Sequence, residues 1–130
     1  MTPLRGHHLI CLHFFRGEGY GPEFLENLES VIDRSKQEGI VVQNGADNIC
    51  IKCPNLAGEL CMYKGDNNKK IEGLDAIALR LLNLEHGAKT EWAAMERVLP
   101  QIFHEWKDEV CFKCDWLGTC KSTTRWKNLD

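Results

Sequence analysis

Apolar residues recur at helical spacing over most of this chain. Pro22 suits the first turn of a helix, and Gly39 is placed to end it. Between these two residues the apolar positions predict a helix over residues 22–38, with a buried face formed by Phe24, Leu25, Leu28, Val31 and Ile32. Residues 40–42 are Ile-Val-Val, and Asn44-Gly45 favours a turn, so we predict a short strand at 40–42.

Two more helices are predicted in the second half of the chain. Residues 64–70 are polar and indicate an exposed loop. The helix after this loop is closed by Gly87, and its apolar positions are Leu74, Ile77, Ala78, Leu81 and Leu82. Thr90 is a suitable N-cap for the third helix, whose apolar face would hold Trp92, Met95, Val98, Leu99, Ile102, Phe103 and Trp106. Pro100 lies inside this pattern and is predicted to kink or split the helix.

The predicted fold is mainly α: a small single domain of about four helices, with one short strand or hairpin and two cysteine-rich metal knuckles. The 130 residues can form one core, and no linker divides them, so we treat residues 1–130 as a single cysteine-rich metal-binding domain. No apolar stretch approaches the roughly 20 residues of a membrane span, and residues 1–5 do not resemble a secretory signal. A cytoplasmic protein without a membrane partner is expected.

The charge of the chain gives little reason to expect a nucleic-acid partner. The 16 basic and 19 acidic residues are spread along the sequence and leave a net charge of −3. One local basic cluster surrounds Trp126 near the C-terminus, formed by Lys121, Arg125 and Lys127. Three charges and one aromatic residue are a weak nucleic-acid signal, and we interpret this cluster as a solvated end of the chain.

The cysteines carry the strongest chemical signal. Six of the seven form two similar groups, spaced Cys-x2-Cys-x7-Cys and Cys-x2-Cys-x5-Cys, at Cys50, Cys53, Cys61 and at Cys111, Cys114, Cys120. A two-residue gap lets a tight turn direct two thiolates at one ion or cluster. An odd number of cysteines cannot pair completely within one chain, and the expected compartment is reducing. We therefore predict that both groups bind metal.

Each three-cysteine group lacks a fourth ligand, and Cys11 is the remaining cysteine. If residues 6–13 are helical, Cys11 lies three residues after His8 and four after His7, so one histidine can share its face. We predict that Cys11 completes the first group and that His8, or His7, is a further ligand. The alternative is a buried Cys11 with surface or capping histidines. The other histidines stand alone and are interpreted as structural or exposed: His13, His86 and His104.

Iron–sulfur clusters and zinc both accept cysteine thiolates. Structural zinc usually takes two paired Cys-x2-Cys gaps per site, whereas here each short gap is followed by one further cysteine. Proline after a ligand cysteine, as in Cys53-Pro54, is common in ferredoxins. We therefore expect at least one [4Fe–4S] cluster. Zinc, alone or beside a cluster, is the alternative cofactor.

Several stretches of this chain resemble a known family. They are Leu4-Arg5-Gly6-His7-His8-Leu9-Ile10-Cys11, Gly17-Glu18-Gly19-Tyr20-Gly21-Pro22 and Asp47-Asn48-Ile49-Cys50. In these stretches the chain resembles small bacterial and archaeal proteins that are classed as a domain of unknown function and regarded as iron–sulfur binding. The resemblance covers essentially the whole chain. It implies an iron–sulfur protein of unassigned activity.

Three functional classes follow from the predicted metal sites. The first is a redox or electron-transfer module with a redox partner protein, for which complete cysteine ligation suffices. The second is a zinc-stapled structural or interaction module, in which metal only holds the fold. The third is an enzyme: seven cysteines divide as four and three, which would leave one iron open to substrate. Whether the protein is an enzyme, and its oligomeric state, stay open at this point.

Overall fold

The computed structural model describes residues 1–14, 21–45, 47, 56–57, 60–61, 68–111 and 120–129. In chain order its helices are α1 (His8–Cys11), α2 (Pro22–Glu38), α3 (Asn68–Leu82), α4 (Trp92–Glu109) and α5 (Thr124–Leu129). A 3₁₀ turn, Leu12–Phe14, extends α1. The strands are β1 (Thr2–Arg5), β2 (Ile40–Gln43), β3 (Leu56–Ala57), β4 (Leu60–Cys61) and β5 (Lys89–Thr90). The described part of the chain is therefore mainly helical, as predicted.

A small sheet supports the helices and is larger than the sequence predicted. Its order is β1-β2-β5, with β1 parallel to β2 and β5 antiparallel to it. The register pairs Thr2 with Ile40 and Arg5 with Gln43. The predicted strand at 40–42 is confirmed as part of β2. β1 was missed because Pro3 and Arg5 do not give a strand pattern; as an edge strand, β1 tolerates the proline.

The predicted helix over residues 22–38 is confirmed residue for residue as α2, and Gly39 leaves it at a φ of 82°. The end predicted for the next helix at Gly87 is wrong. Helix α3 stops at Leu82 because Asn83 adopts a left-handed φ of 57°. The N–H of Leu84 then donates to the Leu79 carbonyl and that of Asn83 to the Arg80 carbonyl, which is a Schellman ending. Helix α3 also starts at Asn68, so the predicted loop is too long by three residues.

The third predicted helix is confirmed as α4, with two changes. Pro100 lies inside α4 and does not divide it. The helix begins after Glu91, whereas the predicted cap, Thr90, pairs with Ile40 in the sheet. Helix α5 was not predicted. Its start is marked by Thr123, whose hydroxyl accepts the backbone N–H of Trp126 at 3.2 Å.

One hydrophobic cluster joins the sheet to the helices. Its centre holds Leu4, Val31, Leu99, Phe103 and Trp106, none of which is more than 1% exposed. Phe14 and Trp126 pack against Phe103, with ring centroids 5.9 and 4.8 Å from the phenyl ring. The interpretation of the C-terminus as a solvated end is therefore wrong for Trp126, which is 2% exposed. The cluster thus runs from β1 to α5.

Within the residues that the structure describes, no helix has the length and apolar character needed to cross a membrane. The two predicted metal knuckles lie mostly outside the described residues. Of their six cysteines, Cys50, Cys53 and Cys114 are not described.

Candidate functional site

The N-terminal turn carries a cluster of polar side chains that the sheet and α3 hold in place. β1 ends at Arg5, and Gly6 and His7 lead directly into α1. The N–H of Leu9 donates to the Gly6 carbonyl, and that of Cys11 donates to the His7 carbonyl at 2.9 Å. The helical conformation considered for this segment is thereby confirmed at His8–Cys11. Both histidines lie at the start of α1, and Cys11 follows one turn later.

Asp75 of α3 holds the first histidine. Its Oδ1 lies 2.6 Å from Nδ1 of His7 and accepts the His7 backbone N–H at 3.0 Å. Its Oδ2 accepts Nε–H of Arg5 at 2.9 Å, and a second guanidinium nitrogen lies at the same distance. Burial alone would raise the pKa of Asp75, but the hydrogen bonds and charge interaction of His7, together with the hydrogen bond from Arg5, lower it to about 2. Asp75 is therefore ionised at neutral pH.

Asp47 holds the second histidine in the same way. Its Oδ2 lies 2.7 Å from Nδ1 of His8 and accepts the backbone N–H of Arg5 at 2.8 Å. The side chain of Asp47 has no exposed surface. This carboxylate therefore ties the segment just before the first cysteine group to the end of β1.

The two imidazole rings are neighbours, with centroids 4.3 Å apart and planes inclined by 52°. Burial lowers the pKa of His7, and the adjacent His8 lowers it further, against the opposing effect of Asp75. Nδ1 of each ring faces a carboxylate, so Nε2 is the nitrogen left for another partner. About one seventh of each side chain is exposed, at 15% for His7 and 14% for His8. The pair is thus fixed in orientation and still reachable from solvent.

Gly6 allows α3 to approach the turn this closely. A Cβ at this position would lie 2.6 Å from the backbone oxygen of Asp75 and 2.8 Å from its Cα. Only glycine leaves room for the α3 backbone here. The short distance between Asp75 and His7 depends on this contact.

The remaining predicted ligands are divided between different parts of the fold. Cys11 is half-buried on α1, Cys111 is buried just after α4, and Cys120 is half-buried before α5. Cys61 ends β4, where it pairs with Leu56. In the described ranges no three His, Cys, Asp or Glu side chains are placed to hold a metal ion. Ligation by His8 and the cysteines stays a prediction, because Cys50, Cys53 and Cys114 lie outside the described residues.

His13 lies in the 3₁₀ turn that follows α1 and has a structural position. Its ring is 4.2 Å from the Trp92 ring between centroids, and the residue is 8% exposed. Burial, followed by repulsion from Arg125, lowers the pKa of His13 to about 4, although Glu96 and the Leu9 carbonyl oppose this shift. His13 is thus neutral at physiological pH. Of the other two isolated histidines, both His86 and His104 are exposed.

Sequence reasoning missed the residues that orient the histidine pair: Arg5, Gly6, Asp47 and Asp75. Asp75 did carry a signal, because it lies on the apolar face of α3 between Leu74 and Ala78. A carboxylate on a buried helix face needs a partner. The sequence could not name that partner, since Arg5 is 70 residues away.

A family model described as "Protein of unknown function (DUF1284)" matches residues 19–120. The chain belongs to this family. The matched region of this DUF1284 chain contains both aspartates of the site and both cysteine groups, and it begins after the histidine pair and Cys11. No curated protein and no solved structure matches the chain.

Proposed function

We propose that this protein binds a [4Fe–4S] cluster through Cys11, Cys50, Cys53 and Cys61 and acts in electron transfer or redox sensing. The observation that supports this proposal is the position of Asp47, whose buried carboxylate bonds both Arg5 and His8. It anchors the start of the first cysteine group beside the helix that carries Cys11.

Chain connectivity limits how far the first cysteine can lie from this anchor. Cys50 follows Asp47 by three residues, and an extended chain spans at most about 3.6 Å per residue. Cys50 must therefore lie within about 11 Å of Asp47. Asp47 contacts the His8 ring, and Cys11 lies one helical turn beyond His8. Four thiolates on one cluster need this kind of proximity.

The other end of the first group lies near the same support. β4, which ends at Cys61, packs beside α3, the helix that supplies Asp75. The N-terminal turn and β4 thus both contact α3. His8 remains a proposed additional ligand of this centre.

A second metal centre is proposed for Cys111, Cys114 and Cys120. Cys111 lies two residues after the end of α4 and Cys120 shortly precedes α5, and these two helices pack together. The described ends of this group therefore belong to one part of the core. A metal centre here would stabilise the segment that connects α4 to α5.

Zinc is the second candidate, favoured by the imidazole nitrogens close to Cys11. Imidazole and thiolate together suit zinc at least as well as iron. In that case the metal would hold the fold, and an exposed surface would carry the function. An enzyme remains a third proposal, in which one iron is left without a protein ligand.

Anaerobic purification followed by iron, sulfide and zinc analysis tests the proposal. We expect a brown protein that absorbs near ~400 nm, with about four iron and four sulfide per cluster. Cys11→Ala should lose the first centre and keep the second, whereas Cys111→Ala should do the reverse, so each variant controls for the other. Stoichiometric zinc without iron would support the zinc module. A wild-type protein that binds neither would overturn both proposals.

A further inference from the structure

We propose that Asp75 and Asp47 are positioning residues, which hold His7 and His8 in the tautomer that presents both Nε2 atoms as donors to the metal centre. This inference rests on the proposed function and deepens it. It assigns nitrogen donors to the centre and names the two carboxylates that orient them.

The hydrogen-bond pattern determines the tautomer. In each pair the carboxylate oxygen that faces Nδ1 also accepts a backbone N–H, from His7 for Asp75 and from Arg5 for Asp47. An ionised carboxylate offers only acceptors. The hydrogen between the two groups must therefore belong to Nδ1, at 2.6 Å in one pair and 2.7 Å in the other. When the ring is neutral, its Nε2 then carries the lone pair.

The charged side chains of this arrangement are buried, whereas charged side chains on a protein surface are solvated. The side chain of Asp47 has no exposed surface and that of Asp75 is 8% exposed, and burying a carboxylate is unfavourable unless it is paired. Arg5, itself 1% exposed, offsets that cost for Asp75. Three charged side chains are thus buried to fix two imidazoles. A histidine that binds metal typically donates its other ring N–H to a carboxylate in this way.

The two rings are neighbours. Their centroids lie 4.3 Å apart, and Nδ1 of each ring is held by a carboxylate. If both rings bind the centre, His7 and His8 would supply it with two nitrogen donors. The exposed seventh of each side chain leaves an approach for the metal.

Nitrogen-15 spectra of the histidine rings in the wild-type protein provide the first test. The metal-free reduced protein should show hydrogen on Nδ1 and none on Nε2 in both His7 and His8. Addition of Zn²⁺ should shift both Nε2 signals while the Nδ1 hydrogens are retained. Hydrogen on Nε2 of either ring, or unshifted signals with zinc bound elsewhere, would overturn the inference. This test needs no variant and does not depend on a variant's folding.

Chelator competition for Zn²⁺ provides the second test. Asp75→Asn and Asp47→Asn should each weaken Zn²⁺ binding about 10- to 100-fold, the usual effect of losing an orienting carboxylate. Asp108→Asn, an exposed position on α4, is the matched control and should bind as the wild type does. Unchanged affinity in both site variants would overturn the inference.

The outcomes also separate this inference from the proposed function. His7→Gln and His8→Gln should lower the amount of iron and sulfide retained through purification, whereas His86→Gln, at an exposed position, should not. Full iron and sulfide in both site variants, with unchanged spectra, would show that the histidines are not ligands and would leave the proposed cluster unaffected. A wild-type protein without any metal would remove both proposals.

Discussion

Gly6 is the residue at which the N-terminal turn comes closest to α3. An added Cβ would lie 2.6 Å from the Asp75 backbone oxygen, and helix backbone cannot move aside as the end of a flexible side chain can. Gly6→Ala should therefore destabilise the protein by about 1–3 kcal/mol, as overpacked positions do. It should also lengthen the contact between His7 and Asp75. Urea unfolding measures the first effect and the His7 ring shifts measure the second.

Gly73 offers the matched control for this substitution. It lies on an exposed face inside α3, and a Cβ there meets nothing within 4 Å. Gly73→Ala should stabilise the protein by about 0.5–1 kcal/mol through helix propensity alone. If Gly6→Ala were neutral or stabilising as well, the close approach of α3 would not constrain the site.

His13 should make the stability depend on pH. Its pKa is lowered from 6.5 to about 4 in the folded protein, so the folded state excludes a proton that the unfolded state accepts. The stability is complete above pH 6.5 and is lost as pH falls towards 4. Between pH 7.5 and 5 this residue should cost about 2 kcal/mol of unfolding free energy.

His13→Phe keeps an aromatic ring against Trp92 and removes the titration. We expect the difference between this variant and the wild type, measured by urea unfolding, to grow as pH falls from 7.5 to 5. His104→Phe, at an exposed position of α4, is the control and should leave the pH profile unchanged. Parallel profiles for the wild type and His13→Phe would show that folding does not lower the pKa of His13.

At the residue scale the sequence identified the histidines and the cysteines, and it did not identify the groups that hold them. Asp47 contacts the backbone of Arg5 across 42 residues, and Asp75 contacts its side chain across 70. No local pattern encodes such distant pairs. The local sequence does show that partners are needed. Arg5 and Asp75 are charged residues in apolar surroundings, and each requires a partner of opposite charge.

Among the secondary-structure elements, α4 contains a helix-breaking residue, as its sequence predicts. Pro100 lies inside the helix on its exposed face, where it lacks the N–H that would bond the preceding turn. Pro100→Ala should restore that bond and stabilise the protein by about 1–3 kcal/mol. Thermal or urea unfolding measures the change, and Gln101→Ala is the neighbouring exposed control. A loss of stability would mean that a proline-induced bend is needed to pack α4.

The helices were easier to predict than the strands because helix signals are local. Residues 22–38 carry both the apolar period and the two end signals, and α2 matches them at both ends. The end of α3 was misjudged because a left-handed Asn83 ends a helix as glycine does, four residues before Gly87. β1 and β5 exist only through their pairing with β2, so short stretches such as Lys89–Thr90 carry no signal of their own.

For the whole molecule, the position of the C-terminal segment changes the role expected of metal. A metal bound by Cys111, Cys114 and Cys120 is proposed above to hold the connection from α4 to α5. The structure adds a second attachment, because Trp126 of α5 is 2% exposed and packs edge-on against Phe103 at 4.8 Å between centroids. Aromatic burial of this kind contributes several kcal/mol. Apolar packing can therefore hold α5 without a metal.

Two variants distinguish attachment of α5 through Trp126 from attachment through a bound metal. Trp126→Ala should lower the free energy of unfolding by about 3–5 kcal/mol in metal-free protein, because it empties a large space in the core. Cys114→Ser should cost less than about 0.5 kcal/mol in the same metal-free protein, and its full cost should emerge only when the wild type is metal-loaded.

Hydrogen exchange at Thr124–Leu129 reports the docking of α5 directly. If chelation of the wild type alone exposed these amides, metal rather than Trp126 would hold the C-terminal helix. If the amides stay protected after chelation and open in Trp126→Ala, then α5 belongs to the apolar core, and a metal bound by the second cysteine group is not needed to dock it.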